Sequence, residues 1–176
     1  MAKRMTIDGY GQLELNQVAF RRDGRIEAQC ALASTIDYVE NGMVLAIDPA
    51  AREVKMPSGS DAFLALNYTT EHMYDERLGG ALKNFKLDNG TFKPRLGYLS
   101  TGDKFTTNCI AVADADAAGA KATEAEVKTA VATKKYGKAS ATGALELTAT
   151  ASGAIAQVVK ETTMPDGSYA LQFIAL

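Results

Sequence analysis

His72, the one histidine of the chain, lies in Thr70-Glu71-His72-Met73-Tyr74-Asp75, where an imidazole beside carboxylates suggests acid-base or metal chemistry. One histidine does not make a His-based metal site alone, and carboxylates one and three positions away set no ligand geometry. No GxSxG elbow or other marked nucleophile accompanies it, so Ser-His-Asp and Cys-His mechanisms have no support. Asp103, Asp114 and Asp116 raise a calcium loop, but the alternating ligand positions, central glycine and closing glutamate of an EF-hand are missing. Cys30 and Cys109 have neither CxxC spacing nor a Cys/His partner and read as buried, reduced thiols. The glycines never form GxGxxG or GxxxxGK[ST] and so cradle no phosphate. Lys134 and Lys135, with Lys138 nearby, read as charges complementing a helix C-terminus. A glycosidase cleft would display aromatic platforms, and the chain has no tryptophan. The expectation is a module without catalytic residues, metal or cofactor, one that binds or builds.

Composition narrows the partners. With 47% hydrophobic and 23% charged residues the chain falls among globular proteins. At 176 residues it is long enough for one domain, or two small β units sharing a core, without metal or disulfide support. Its 19 basic and 21 acidic residues are interspersed, so no broad positive field is expected to hold nucleic acid. The basic start Met1-Ala2-Lys3-Arg4-Met5-Thr6 is not followed by an apolar stretch of signal-peptide type, and no run reaches membrane-spanning length; neither secretion by signal peptide nor membrane insertion is expected.

The elements that would position any site read as mainly β. Residues 1–11 are polar, carry Gly9 and Gly11, and read as an arm that orders against something else. Leu13 to Phe20 and Ile26 to Leu32 flank Asp23-Gly24, a hairpin pattern. The apolar runs Met43 to Ile47 and Phe63 to Tyr68 predict central strands, and Glu53 to Met56 a return strand between them. Thr69 to Pro94 reads as a long excursion, a length usually functional or packed on a partner. Arg95 to Leu99 and Lys104 to Val112 predict two further strands. Thr123 and Glu126 make a capping box for one short α-helix at about 124–135, with Val127, Ala130 and Val131 as its apolar stripe. Leu145 and Leu147 alternate with polar neighbours, and Met164-Pro165-Asp166-Gly167 joins Ile155 to Thr163 and Tyr169 to Leu176 into a hairpin. The predicted fold is a small β-barrel or sandwich core with an N-terminal hairpin arm and one short helix. Its parts are 1–37 (arm and hairpin), 38–112 (barrel core) and 113–176 (helix plus C-terminal strands completing or extending the core).

The order Glu40-Asn41-Gly42-Met43-Val44-Leu45-Ala46-Ile47-Asp48, then Phe63-Leu64-Ala65-Leu66-Asn67-Tyr68, then Leu99-Ser100-Thr101-Gly102-Asp103-Lys104-Phe105-Thr106-Thr107-Asn108 resembles tailed-bacteriophage head decoration, or capsid cement, proteins. The similarity covers roughly residues 40–110 and continues more loosely to the C-terminus. The resemblance implies a virion protein, made in the host cytoplasm, that binds the outside of an assembled capsid, contacts the major capsid protein and self-associates as a dimer or trimer. Under this reading the contact residues are Met5 and Tyr10 in the arm, Tyr74, Phe85 and Phe92 in the excursion, and Ile174 and Leu176 at the C-terminal edge. Other readings are a tail or head-tail connector component, or a carbohydrate-binding or adhesion module.

Overall fold

The computed structural model describes residues 2–70, 82–113 and 120–176. Its strands in chain order are Ala2–Arg4 (β1), Leu13–Gln17 (β2), Ile26–Glu27 (β3), Ala31–Leu32 (β4), Tyr38–Val39 (β5), Val44–Asp48 (β6), Glu53–Lys55 (β7), Leu64–Asn67 (β8), Leu87–Asp88 (β9) and Leu96–Gly97 (β10). Lys104–Thr107 (β11), Ile110–Ala113 (β12), Tyr136–Ala139 (β13), Leu145–Thr148 (β14), Ala156–Thr163 (β15) and Tyr169–Ala175 (β16) complete the set, with the helix Glu124–Thr133 (α1) ahead of β13. The chain is thus mainly β with a single short α-helix among the described residues, and no sheet closes into a barrel.

A large sheet runs β1-β12-β14-β13-β15-β16-β11-β2, a small one β3-β10-β8-β6-β7-β4, and β5 pairs with β9. The large sheet draws strands from all three of the segments 1–37, 38–112 and 113–176, which therefore interleave. β11 and β12 are second from opposite edges, yet only Asn108 and Cys109 join them. Five inter-strand steps of about 4.8 Å would set them roughly 24 Å apart in a flat sheet. Three Cα–Cα steps reach only about 11 Å. The sheet therefore curls until its two ends approach, with the covalent link 107–110 standing where hydrogen bonds would close a barrel.

The first core fills the inside of that curl. It contains Phe105, Ile110, Leu145, Leu147, Leu171 and Phe173, with Phe105 and Phe173 stacked at 5.7 Å on paired positions of β11 and β16. Val127 and Val131 of α1 pack into it, as do Met5 from the N-terminal segment and Val44 and Leu66 from the small sheet. The second core lies on the other face of the small sheet, where Leu45, Ile47, Val54 and Leu96 meet Cys109 and Ala111. β12 is covered on both faces, Ile110 and Val112 in the first core and Ala111 in the second. The same holds for β6, which is central as its unbroken apolar run implied.

Local signals held where their partners are near in sequence. The capping box forms, Thr123 accepting from the Glu126 amide and the Glu126 carboxylate accepting from the Thr123 amide at 2.6 Å. The helix ends at Thr133 because Lys134 is extended (φ −110°, ψ 97°), leading the chain into β13. β15 and β16 pair through the Pro165-Asp166-Gly167 turn, and β16 is interior to its sheet.

Three expectations change. The Asp23-Gly24 turn closes no hairpin: β2 pairs with β11 in the large sheet and β3 with β10 in the small one. Phe20 is the cause. Its fully buried ring lies 4.9 Å from that of Tyr68 and directly over Gly97, so the chain turns a corner between sheets. The run 26–32 accordingly splits into β3 and β4 with Ala28 exposed. Lys104 to Val112 is two strands, broken at Asn108-Cys109 by the bend described above. Residues 1–11 are no free arm, since β1 pairs with β12 and Met5 is 2% exposed.

A Cβ at Gly97 would stand 2.5 Å from the Phe20 ring. Gly97→Val is expected to lower stability by about 1–3 kcal/mol through overpacking, read as a fall in the urea midpoint with unchanged slope.

Candidate functional site

The N-terminal segment runs as a strap along the bent strand pair β11–β12. Met5 N–H donates to Ile110 O (2.8 Å), Thr6 N–H to Ala122 O (2.7 Å) and Ala122 N–H to Arg4 O (2.7 Å). At the bend Gln12 N–H donates to Asn108 Oδ1 (2.7 Å) and Thr107 Oγ1 donates to Gln12 O (2.8 Å). Lys3 reaches α1 through Glu126 (2.8 Å), and this contact with the Thr123 cap holds the Glu126 carboxyl down at about 2.

Between these ends the strap contacts Glu40, whose carboxylate is buried. Arg4 grips it with two guanidinium nitrogens, Nη1 donating to Oε1 at 2.6 Å and Nη2 to Oε2. The Gly11 amide donates to the same Oε2. Gly11 must lack a side chain there, because a Cβ would meet Asn41 O at 2.7 Å and Glu40 Oε2 at 3.0 Å. The Tyr10 amide donates to Lys83 O (2.7 Å), tying the strap to the segment that precedes β9.

These ties place Tyr10 against Tyr38 of β5, ring centroids 5.6 Å apart and 74° inclined. Lys86 stands 5.0 Å from the Tyr38 centroid and 5.8 Å from that of Tyr10, and pairs with Asp88 at 2.6 Å. Tyr38, 36% exposed, forms the ridge between two surface depressions. The larger, of about 490 Å³, is lined by Ile36, Met43 and Met56; the smaller, of about 320 Å³, by Ile7 and Tyr10. Arg4, Tyr38 and Lys121 border both.

The chemistry available here is recognition. The Glu40 carboxylate is occupied by Arg4 and Gly11, and burial pushes the Cys109 thiol up to about 11 against the pull of Arg4. Aromatic rings with one wet edge, apolar hollows and a cation over the ring faces are the constituents of protein-binding surfaces. Among the described residues no group of three or more His, Cys, Asp or Glu side chains is placed to hold a metal ion.

Cys109 supplies a prediction. Its folded-state value lies above the ordinary 9.0, so the unfolded chain loses this proton first as pH rises. Stability is expected to be unaffected by this group below about 9 and to fall with a one-proton slope toward about 11, measured by urea unfolding across that range. Cys109→Ser, which cannot ionise there, should flatten that slope.

The anticipated contact residues do not converge. Met5 and Phe85 are 2% and 6% exposed and belong to the interior, so neither offers a surface. Tyr10 lies half-buried in the site just described, while Phe92 and Leu176 are exposed at 45% and 48%. Leu176 instead borders a separate cleft of about 210 Å³ with Leu64, Leu99 and Ile155, and Ile174 is half-buried on β16. Tyr74, like His72, Asp114 and Asp116, lies outside the described residues. Sequence reasoning missed Tyr38, Lys86 and the Arg4–Glu40 pair. A glutamate directly before Asn41-Gly42 and an apolar run was the available signal, since burying it requires a cation from elsewhere. Compared with family models, curated proteins and solved structures, the chain matches none.

Proposed function

We propose that this chain is a structural virion protein that binds the outer surface of an assembled phage capsid, contacts the major capsid protein and stabilises the shell. The observation that carries this reading is how the sheets end. The outermost strands are β1 and β2 in the large sheet, of three and five residues, and β3 and β4 in the small one, of two each. Three of these four edges, at two or three residues, offer little template for continuing a sheet into a neighbour, as ring-forming tail components would be expected to do. Among the described residues, four of the five exposed large apolar side chains lie instead in loops, at the C-terminus and in the two-residue β5: Phe63, Phe92, Leu176 and Tyr38; the fifth, Val159, is on β15. That distribution suits docking by loops onto an existing surface, in line with the decoration proteins that residues 40–110 resemble. The inclined Tyr10–Tyr38 pair also lacks the flat face that a sugar-binding platform presents.

Stabilisation follows from linkage. A protein that binds the expanded shell and not its disrupted form shifts that equilibrium by its differential affinity, multiplied over many copies. Mixing the purified protein with expanded capsids that lack it is expected to give co-sedimentation and a raised disruption temperature. Failure of both would overturn the proposal.

A further inference from the structure

We propose that Asn89-Gly90 is a site of spontaneous deamidation, and that its conversion releases the turn 33–37 on which β5 and its Tyr38 depend. Asparagine followed by glycine occurs at Asn41-Gly42 and again at Asn89-Gly90. The two pairs meet opposite surroundings. Asn89 and Gly90 are exposed in the turn after β9, where the Thr91 amide and hydroxyl both donate to Asp88 O, at 3.3 and 2.6 Å. Gly90 takes φ +82°, a Cβ built on it would meet nothing within 4 Å, and its amide has no hydrogen-bond partner among the described residues. Asn41, by contrast, is 3% exposed, its Nδ2 donates to Thr69 O (2.9 Å), and the Gly42 amide donates to Asn67 O (3.0 Å).

The reaction needs only water and a solvent base. The Gly90 amide nitrogen, having given up its proton, attacks Asn89 Cγ; glycine has no side chain to shield that nitrogen. The N–Cγ bond forms, the Cγ–Nδ2 bond breaks, and Nδ2 takes a proton and leaves as ammonia. Water then adds to either carbonyl of the cyclic imide and opens it, giving aspartate or isoaspartate, whose backbone runs through Cβ. Nothing is oxidised or reduced, and the chain gains the mass of water less that of ammonia.

Asn89 is also the tie between β9 and the turn before β5. Its Nδ2 donates to Ala33 O (3.0 Å) and Ile36 O (2.8 Å), and its backbone amide donates to Asp37 O (2.8 Å). Ile36 belongs to the second core and lines the larger depression beside Tyr38. β5 has no other strand to hold it, because its pairing of Tyr38 with Asp88 and Val39 with Leu87 is its whole sheet. Both products carry an ionised carboxylate, which has no hydrogen to donate. Two bonds donated to backbone carbonyls thus become a repulsion between negative oxygens. The consequence is local to the turn and β5, and it holds whatever the Tyr38 surface binds.

The test incubates the full-length protein at neutral and mildly alkaline pH and follows it by peptide mass mapping, with protein isoaspartyl methyltransferase as the probe for isoaspartate. Asn89 is expected to convert at least about tenfold faster than Asn41, which must first open locally to react. The rate should rise with pH, because the nucleophile is the deprotonated amide. Asn89→Gln, whose longer side chain closes a larger ring, should abolish conversion at this position. In the converted protein, and in Asn89→Asp, amide hydrogen exchange should quicken at Ile36 and β5 while β15 and β16 exchange as in the untreated chain. Asn89 persisting as long as Asn41, a rate indifferent to pH, or converted protein whose exchange at Ile36 and β5 is unchanged or no faster than a general loosening would each overturn the proposal.

Discussion

Deleting residues 2–11 is expected to leave a chain that does not hold its native fold. The deletion removes Met5, whose side chain is 2% exposed among Val112, Ala122 and Val127 in the first core. Emptying a buried methionine site costs about 2–5 kcal/mol. It also strips Arg4 and Gly11 from Glu40, and an orphaned buried charge costs about 3–5 kcal/mol more. Together these approach the roughly 5–15 kcal/mol that holds a whole domain. Near-UV circular dichroism and urea unfolding read the result. A truncated protein melting within a few degrees of the full chain would show that the strap is dispensable.

The second large effect is expected at the Arg4–Glu40 pair itself. Glu40→Leu leaves the Arg4 guanidinium facing apolar neighbours, and Arg4→Met leaves the carboxylate so; each should cost about 3–5 kcal/mol. At about 2–4 °C per kcal/mol for a chain of this size, that is a fall of roughly 6–20 °C. The double variant removes both charges and should recover most of the loss. Recovery stops short of wild type, because the Gly11 amide then lacks its acceptor, at about 1–3 kcal/mol. Urea unfolding of the four proteins gives the coupling as a double-mutant cycle. Single variants within about 1 kcal/mol of wild type would show that the pair behaves as a solvated surface contact.

The two variants explain why part of this fold was legible and part was not. The β15–β16 hairpin and the α1 cap were readable because Pro165-Asp166-Gly167 and Thr123 with Glu126 carry their whole signal within a few residues. β6 and β8 were readable because burial on both faces leaves an unbroken apolar run. The strap was not. Met5 is one apolar residue in a polar run, and what it meets, Ala122 and the helix whose Glu126 binds Lys3, comes 123 positions later in the Lys3–Glu126 case. The corner at Phe20 failed for a related reason, since Asp-Gly fixes a local reversal and says nothing of which sheet the next strand joins. The bend at Asn108-Cys109 left threonine and β-branched residues on both sides and so looked continuous. For the site, the excursion was marked through Tyr74, Phe85 and Phe92, whereas Lys86 is the residue that stands over the Tyr38 ring and Phe85 packs inward. An apolar residue in a long loop has the same letter whether it faces a partner or the core. Tyr38 became visible only when the strap laid Tyr10 beside it.

Beside the short sheet edges, the proposed function assigns a docking surface to the Tyr10–Tyr38 pair. The direct measurement is the affinity of Tyr10→Ala/Tyr38→Ala for expanded capsids, beside Val159→Ala as an exposed apolar control on β15. The two rings contribute about 0.5–1.5 kcal/mol to each other, so the double variant should remain folded. If the pair is a binding hot spot, its loss weakens attachment at least about thirtyfold while Val159→Ala binds as wild type. A folded double variant that sediments with shells as wild type does would contradict the account.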